Sequence, residues 1–452
     1  MNIQQSVVQR EIEAIINSGS KPVVCRWDIQ IHANGKVIVP LVVMNVECES
    51  NFILNYADLL SIEVGLLEGD LNYDIIPHKA ALEVTIRRIP LTDAVMPVVD
   101  DYSGVETFRY SATLYDNQSG ILEGNAPNLH DQQTANRGSY LPVKLQLVDP
   151  VIEQLRMQTV GGIFRNMTAL DLVIYLLTKY SVTGIRESGV KVKGVTVLSQ
   201  STGIVRKHIA IPHLTPVMSV PDIVHQQHGG IFAGGFHYYL RRQQWYIYAP
   251  YDIKAYARSK RSLTLITVPA NRFPSPERSY RETPTQLFVM ATGDSKHIDL
   301  SEQAQLNEGN GVRFIDADKV FEDWGKVDNN RLIVTRGDNV NEIISESRPN
   351  KLNYVKESKQ RITTNYMREY GELARRSGSF IHHVWENANP DLLYPGMPVK
   401  LMYLQNNSAE EIYGILVGVH AFNTAETKGM ANRRFITNAT LTVFINRHLT
   451  TT

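Results

Sequence analysis

The first residues whose types suggest chemistry are three histidine groups: His225-Gln-Gln-His228, His237 and His382-His383. Imidazoles at helical spacing can share a metal, but such sites usually recruit a carboxylate or thiolate in a recognisable pattern, and no His-Glu-x-x-His occurs. These histidines are expected in structural or surface roles, with no metal or cofactor. The acidic pairs Asp100-Asp101 and Glu410-Glu411 hold the group that glycoside hydrolysis uses, two carboxyls roughly 5 to 10 Å apart. With 46 acidic residues in the chain, solvated pairs are the ordinary outcome. Tyr238, Tyr239, Trp245, Tyr246 and Tyr248 lie on two short alternating segments. There they offer either a stacking platform for sugars or bases or cross-strand packing, and packing is the commoner use. The glycines of Gly229–Gly235 lack the spacing and preceding strand of a dinucleotide loop and read as a loop that lets a hairpin fold back. Arg336-Gly-Asp338 runs into Asn339-Val-Asn-Glu, a turn before a helix start. Neither a phosphate loop nor a Gly-x-Ser-x-Gly elbow is present. The expectation is a protein with no catalytic, cofactor-binding or metal residues, and not an enzyme.

The whole chain supports that restraint. It has 452 residues, 46 Lys+Arg against 46 Asp+Glu, and 43% hydrophobic residues. That length is a prior for about three domains, and a balanced charge argues against a surface that grips nucleic acid throughout. Two cysteines, Cys25 and Cys48, are too few for a thiolate zinc site or a disulfide framework and are expected as reduced core residues. The start of the chain shows no secretory signal, and no apolar run approaches the roughly 18 residues of a membrane span. A soluble protein made in the cytoplasm is expected, with no membrane insertion.

Ile3, Val7, Ile12, Ile15 and Ile16 fall near one face of a helix that ends at Gly19. The period then changes to two over 23–32, Asn34-Gly35 is a type I′ hairpin pair, and Val37–Met44 is the return strand. Further strands are expected over Leu59–Leu66, Ala80–Ile89, Glu106–Leu114 and Val143–Val148. Asp116–Tyr140 reads as a long polar loop. Thr168-Ala-Leu-Asp171 has the form of a capped helix start, Val190–Leu198 alternates, and Ile209–Pro216 is an extended approach to a helix near Val220–His228. The aromatic hairpin is Phe236–Leu240, a turn at Arg241–Gln244, and Trp245–Tyr248. Residues 269–285 hold four prolines and read as a linker, Val340–Ser347 as a short helix, and Lys351–Arg376 as a charged connector. Val399–Tyr403, Ile412–Val419 and Phe435–Ile445 are C-terminal strands.

Several segments in this order resemble the baseplate hub (tail hub) proteins of contractile-tailed bacteriophages and the related hub portion of type VI secretion spike proteins. They are Leu145-Gln-Leu-Val-Asp-Pro150 with Ile152-Glu-Gln-Leu155, Phe164-Arg-Asn-Met-Thr168 with Leu170-Asp-Leu-Val173, and Ile211-Pro-His-Leu-Thr-Pro216 before the aromatic hairpin. Near the end come Leu393-Tyr-Pro-Gly-Met-Pro-Val-Lys-Leu401 and Tyr413-Gly-Ile-Leu-Val-Gly418 with a long final strand. Phe164–Thr168 corresponds to a turn in that pattern. Val217–Pro221 departs from it, and residues 265–350 match nothing in it.

The resemblance implies a mainly β fold with α+β insertions: two tail-tube-like β-barrel domains plus mixed α/β middle domains, assembling as a trimeric ring. Its implied domains are 1–140, an N-terminal tube-like barrel; 141–215, mixed α/β; 216–380, the first part of a second barrel with the aromatic hairpin, linker and connector; and 381–452, strands completing a barrel. It implies a structural virion protein of the tail, a homotrimer that adapts a sixfold tube to a threefold spike and forms part of the DNA channel without binding DNA specifically. The implied partners are the tail tube protein, a separate central spike protein, the tape-measure protein and baseplate wedge proteins. Two other readings stay open: the tail-tip hub of a noncontractile phage or contractile injector, and, from a different class, a glycan-binding or carbohydrate-active β protein using Trp245, Tyr246 and Tyr248.

Overall fold

The computed structural model describes residues 3–18, 24–91, 105, 107–115, 141–182, 192–201, 203–268, 278–292, 296–299, 327–328, 331–332, 371, 374–375, 378–405, 408–425 and 434–446. Asp100-Asp101, Asp116–Tyr140, Arg336–Asp338 and Val340–Ser347 lie outside the described residues, as does nearly all of Lys351–Arg376.

Helix α1 (Ile3–Ile16) buries Val8, Ile12 and Ile15 against Ile266, Phe288 and Met290. Ile16, expected on that face, is 43% exposed, because it stands roughly 100° around the helix from Ile15. Strand β1 (Val24–Ala33) turns Cys25, Ile29, Ile31 and Ala33 inward. Asn34 and Gly35 take φ of 47° and 77°, both in the left-handed region that a type I′ turn needs. The return strand breaks early. Of the return strand, just β2 (Lys36–Ile38) pairs with β1, and after Pro40, which has no N–H to donate, the chain leaves to form β3 (Val42–Asn51). Next come β4 (Leu59–Leu66), β5 (Leu82–Pro90), β6 (Thr107–Leu114) and β7 (Leu141–Val148), within a residue or two of the expected strands.

The middle of the chain mixes helix and strand. Asp149 caps α2 (Pro150–Met157) by accepting from Val151 N–H at 2.8 Å. Strand β8 (Thr159–Thr168) leads to α3 (Ala169–Leu177), where Thr168 and Asp171 form the expected capping box. Strand β9 (Gly194–Val197), strand β10 (Val205–Pro216), α4 (Val220–Gln227), β11 (His237–Arg241) and β12 (Gln244–Tyr248) follow. Phe164–Thr168 is therefore not a turn. It is the end of β8, held in an antiparallel ribbon by β10 with Phe164 opposite Ile209, a long-range ladder that its local composition does not announce.

The last part adds β13 (Ser262–Val268), β14 (Tyr280–Glu282), β15 (Gln286–Thr292), β16 (Lys296–Asp299), the short pair β17 (Val327–Asp328) and β18 (Arg331–Leu332), β19 (Ser379–Trp385), β20 (Pro398–Gln405), β21 (Ser408–Ala425) and β22 (Phe435–Ile445). Part of the expected linker is thus strand β14. Strand β13 runs parallel to both β15 and β20, so the large sheet is mixed.

The pairings of that sheet return on themselves. Starting from β21, the hydrogen-bonded neighbours are β3, β4, β7, β6, β5, β1 and β22, and β22 pairs again with β21. The circuit joins the two ends of the chain: Ala421 lies opposite Cys48, and Cys25 opposite Phe435. Beyond it, β20, β13, β15 and β14 continue from β21, while β19 and β16 continue from β22. Trp385 on β19 reaches across to this far edge, donating Nε1–H to Ser279 Oγ at 2.9 Å and meeting Tyr280 edge-on.

Three large apolar cores result. One fills part of the circuit with Ile29, Ile31, Ile62, Val64, Val84 and Leu145. The second lies under β13, β15, β19 and β20, with Leu265, Val289, Trp385, Leu401 and Leu441. The third joins α2, α3 and α4 to the aromatic hairpin.

Candidate functional site

The hairpin of β11 and β12 sits between the second and third of these cores, with Tyr238 and Trp245 in one and Tyr239 and Tyr248 in the other, and its aromatics are spent on packing. Tyr238, Tyr239 and Trp245 are 0% exposed and Tyr248 is 1% exposed. Trp245 donates to Ser181 Oγ at 2.9 Å, and the Tyr248 hydroxyl donates to Phe52 O. Side chains this buried are not available to a sugar face, so the hairpin is not the stacking platform that alternation also allowed. Only Tyr246 keeps partial exposure, and it stacks on Tyr394.

The histidines are likewise spent on hydrogen bonds within the fold, three of them (His225, His237 and His383) buried. His237 is buried, stacks on Tyr56 and bonds Asn55 O through Nε2 at 2.8 Å. Burial pushes its pKa down to about 4, so the ring is neutral and donates that bond. Ile231 N–H donates to His225 Nδ1 at 3.1 Å, and His228 Nε2 reaches Ala210 O at 2.9 Å. His382 Nδ1 contacts Thr442 Oγ1 at 2.9 Å, while burial and the neighbouring His382 push His383 down to about 4. Among the described residues, no three His, Cys, Asp or Glu groups are arranged to hold a metal ion. Glu410 and Glu411 are neighbours in β21 and so point to opposite faces. Glu411 is occupied by Lys400 at 2.5 Å.

Both cysteines are free thiols pushed up to about 12 by burial; Cys25 lies in the core as expected, whereas Cys48 is half-buried and faces a cavity. Gly229 (φ 83°) and Gly230 (φ 77°) turn the chain after α4. A Cβ at Gly229 would stand 1.8 Å from Arg206 Nη2, so the glycine-rich stretch serves as a helix terminator and loop.

The turn of the hairpin carries the charge. Arg242 and Gln243 hold φ of 49° and 64°, a type I′ turn made without glycine or asparagine. Arg242 Nη1 lies 3.4 Å from Asp391, which also pairs with Arg88. Those guanidiniums hold the Asp391 carboxyl below its usual range, against the upward push of its burial. Arg241 is 6% exposed, donates Nη2–H to Pro390 O at 2.9 Å, and faces the Phe52 ring at 5.4 Å. Asp58 accepts from Ser50 at 2.6 Å and from Tyr239 at 2.9 Å.

This turn caps a cavity of about 430 Å³. The walls come from β1, β3, β4, β5, β6, β21 and β22, through inward positions such as Trp27, Cys48, Ile86, Tyr110, Ala421 and Thr437. The void has a simple origin. At this end of the circuit the inward positions carry Cys48, Ser50, Ala421, Asn423 and Thr437, too small to fill the space that isoleucines and valines fill at the other end. Sequence reasoning missed this site, although polar residues at inward positions of alternating strands, Arg88 and Asn423 among them, were its readable signal.

Asp149 also lines the cavity. Burial, with Asp58 nearby, raises its pKa from 3.8 to about 6. A carboxyl whose folded pKa is raised contributes stability that is complete below about pH 4 and is lost as pH rises through about 6. Asp149→Asn keeps an N-cap and is expected to raise stability by about 1–2 kcal/mol at pH 8, discounted for water in the cavity. The gain should vanish near pH 4, which paired urea melts at the two pH values would show.

Solved structures that this chain resembles include three from tails and secretion systems. The 43 kDa tail protein of prophage MuSo2 from Shewanella oneidensis aligns with 93% of this chain and 99% of its own at 11% identity and a TM-score of 0.44. A tail protein from Neisseria meningitidis MC58 aligns over 92% and 96%, at 10% identity and a TM-score of 0.42. The Escherichia coli c3393 protein, a type VI secretion component with structural similarity to bacteriophage T4 tail proteins, covers 91% of this chain and 76% of its own at 10% and 0.36. No protein-family model and no curated protein matches the sequence.

Proposed function

We propose that the chain is a non-enzymatic structural protein of a phage tail, and specifically the central hub that adapts a sixfold tube to a threefold spike. The observation that supports this most is the circuit of strand pairings closed by both ends of the chain, with further strands continuing the same sheet from β21 and β22 over a core of their own. In the hub reading these are two tube-like barrels in one protomer, so three protomers present six. The ordered segments from Leu145 to Gly418 that resemble hub proteins support the same reading, with the first barrel built from both ends of the chain instead of from residues 1–140 alone. The tube, spike, tape-measure and wedge proteins are its partners, and DNA passes without specific contacts.

The hairpin then has a mechanical role. Buried Arg241, Tyr239 and Tyr248, bonded to Pro390 O, Asp58 and Phe52 O, tie the hairpin to the circuit and to the strands that continue it, so load applied at one barrel is transmitted through packed side chains instead of a flexible joint. In solution the purified protein is expected as a trimer of about 153 kDa, three times 51.0 kDa, because obligate interfaces commonly exceed roughly 2,000 Å². Multi-angle light scattering across a hundredfold dilution checks this. A concentration-independent monomer would overturn the hub reading.

A further inference from the structure

We propose that the cavity under the hairpin turn is a binding site for a small monocarboxylate with an apolar body. The inference stands on the cavity alone and is independent of the hub reading. Its volume, about 430 Å³, falls within the range of small-molecule sites, roughly 300–1,000 Å³, and it combines apolar walls with a few polar groups. Small closed strand circuits are known to hold one small ligand when their interior is left unfilled.

The charge inventory selects the ligand class. Four arginines and three aspartates line the space, but Arg109 is bonded to Glu83 on the outside. That leaves three of each sign, so a multiply charged anion meets as much repulsion as attraction. The acceptors are satisfied: Asp58 by Ser50 and Tyr239, Asp149 by Val151 N–H, Asp391 by Arg88. The donors are not. Arg241 Nε and Nη1 and Trp27 Nε1 are buried without any hydrogen-bond partner, and a buried donor left unpaired costs about 1–3 kcal/mol. What is missing is an acceptor that matches a guanidinium, and a planar carboxylate does so with two parallel bonds. These N–H groups are shut off from the open space in the present conformation, so the anion turns the Arg241 head away from the Phe52 ring as it binds. Phe108, Tyr110 and Ile86 supply the wall for the apolar body.

The test uses the full-length protein, with benzoate, its neutral analogue benzyl alcohol, and inorganic phosphate as probes in titration calorimetry. Benzoate is expected to bind at least tenfold more tightly than either of the others. Ala421→Leu, which fills the space and leaves Arg241 in place, is expected to abolish that binding while the protein stays folded by circular dichroism. Arg241→Gln, if it folds, should lose the preference for benzoate over benzyl alcohol. Absence of benzoate binding to the unaltered protein would overturn the proposal and leave a hydrated void. So would equal binding of benzyl alcohol, tighter binding of phosphate, or benzoate binding that survives Ala421→Leu.

Discussion

Trp245→Ala is expected to destabilise the protein by about 3–5 kcal/mol, the cost of emptying a core site that large. Trp245 is 0% exposed and belongs to the core that joins α2, α3 and α4 to the hairpin. Its loss removes packing against Tyr238, whose ring lies 6.1 Å away. It also takes the indole N–H from Ser181 Oγ, whose own hydroxyl remains bonded to Leu177 O at 2.5 Å, so the cavity contributes most of the effect. Tyr246→Ala, one residue on and only partly buried, should cost far less, near 1 kcal/mol. Chemical denaturation of the two variants measures the contrast. Equal, small effects would mean that the hairpin is a surface feature, which is what a glycan platform requires.

Gly414→Val is the second large effect, and it acts on the strand pair that closes the circuit. Gly414 faces Ile445 across β21 and β22. A Cβ there would lie 2.4 Å from Phe444 O, 2.9 Å from Val443 Cγ1 and 3.0 Å from Ile445 Cγ2. The backbone oxygen cannot swing aside as a flexible side chain would, so the ladder itself must move. A loss of about 3 kcal/mol is expected, at the upper end for overpacking, with a fall in soluble yield. Gly418→Ala offers the comparison. Its Cβ would meet Thr442 Cβ at 3.3 Å, which a shift of a few tenths of an ångström relieves. Thermal melts of both variants distinguish a local steric fault from a general intolerance of side chains in β21.

What the sequence revealed was local. The Asn34-Gly35 turn, the strands Leu59–Leu66 and Phe435–Ile445, the Thr168 capping box and the helix at Val220 each carry their signal within a few residues, through turn chemistry, period or a cap. The closure of the circuit does not. Asn423 donates to Val46 O from 377 residues away, and His420 meets Glu47 from 373. No periodicity links such positions. The parallel partners of β13 were hidden for the same reason, and β8 was missed because its ladder with β10 outweighs its composition. The hairpin illustrates an ambiguity that spacing alone cannot resolve: Tyr238, Trp245 and Tyr248 alternate in the same way whether they face a ligand or a core, and only the arrival of Phe52, Met218 and Ser181 from elsewhere in the chain decides it. The cavity was half legible. Arg88 and Asn423 at inward positions break the apolar pattern, yet the volume beside them depends on how small Cys48 and Ala421 are when β3 meets β21.

Image class averages of the purified protein test the central claim most directly. The expected particle is a closed ring of three protomers around a central hole, with six similar lobes contributed by two strand assemblies per protomer. Compact particles without a hole, or rings whose protomers each contribute one lobe, would contradict it.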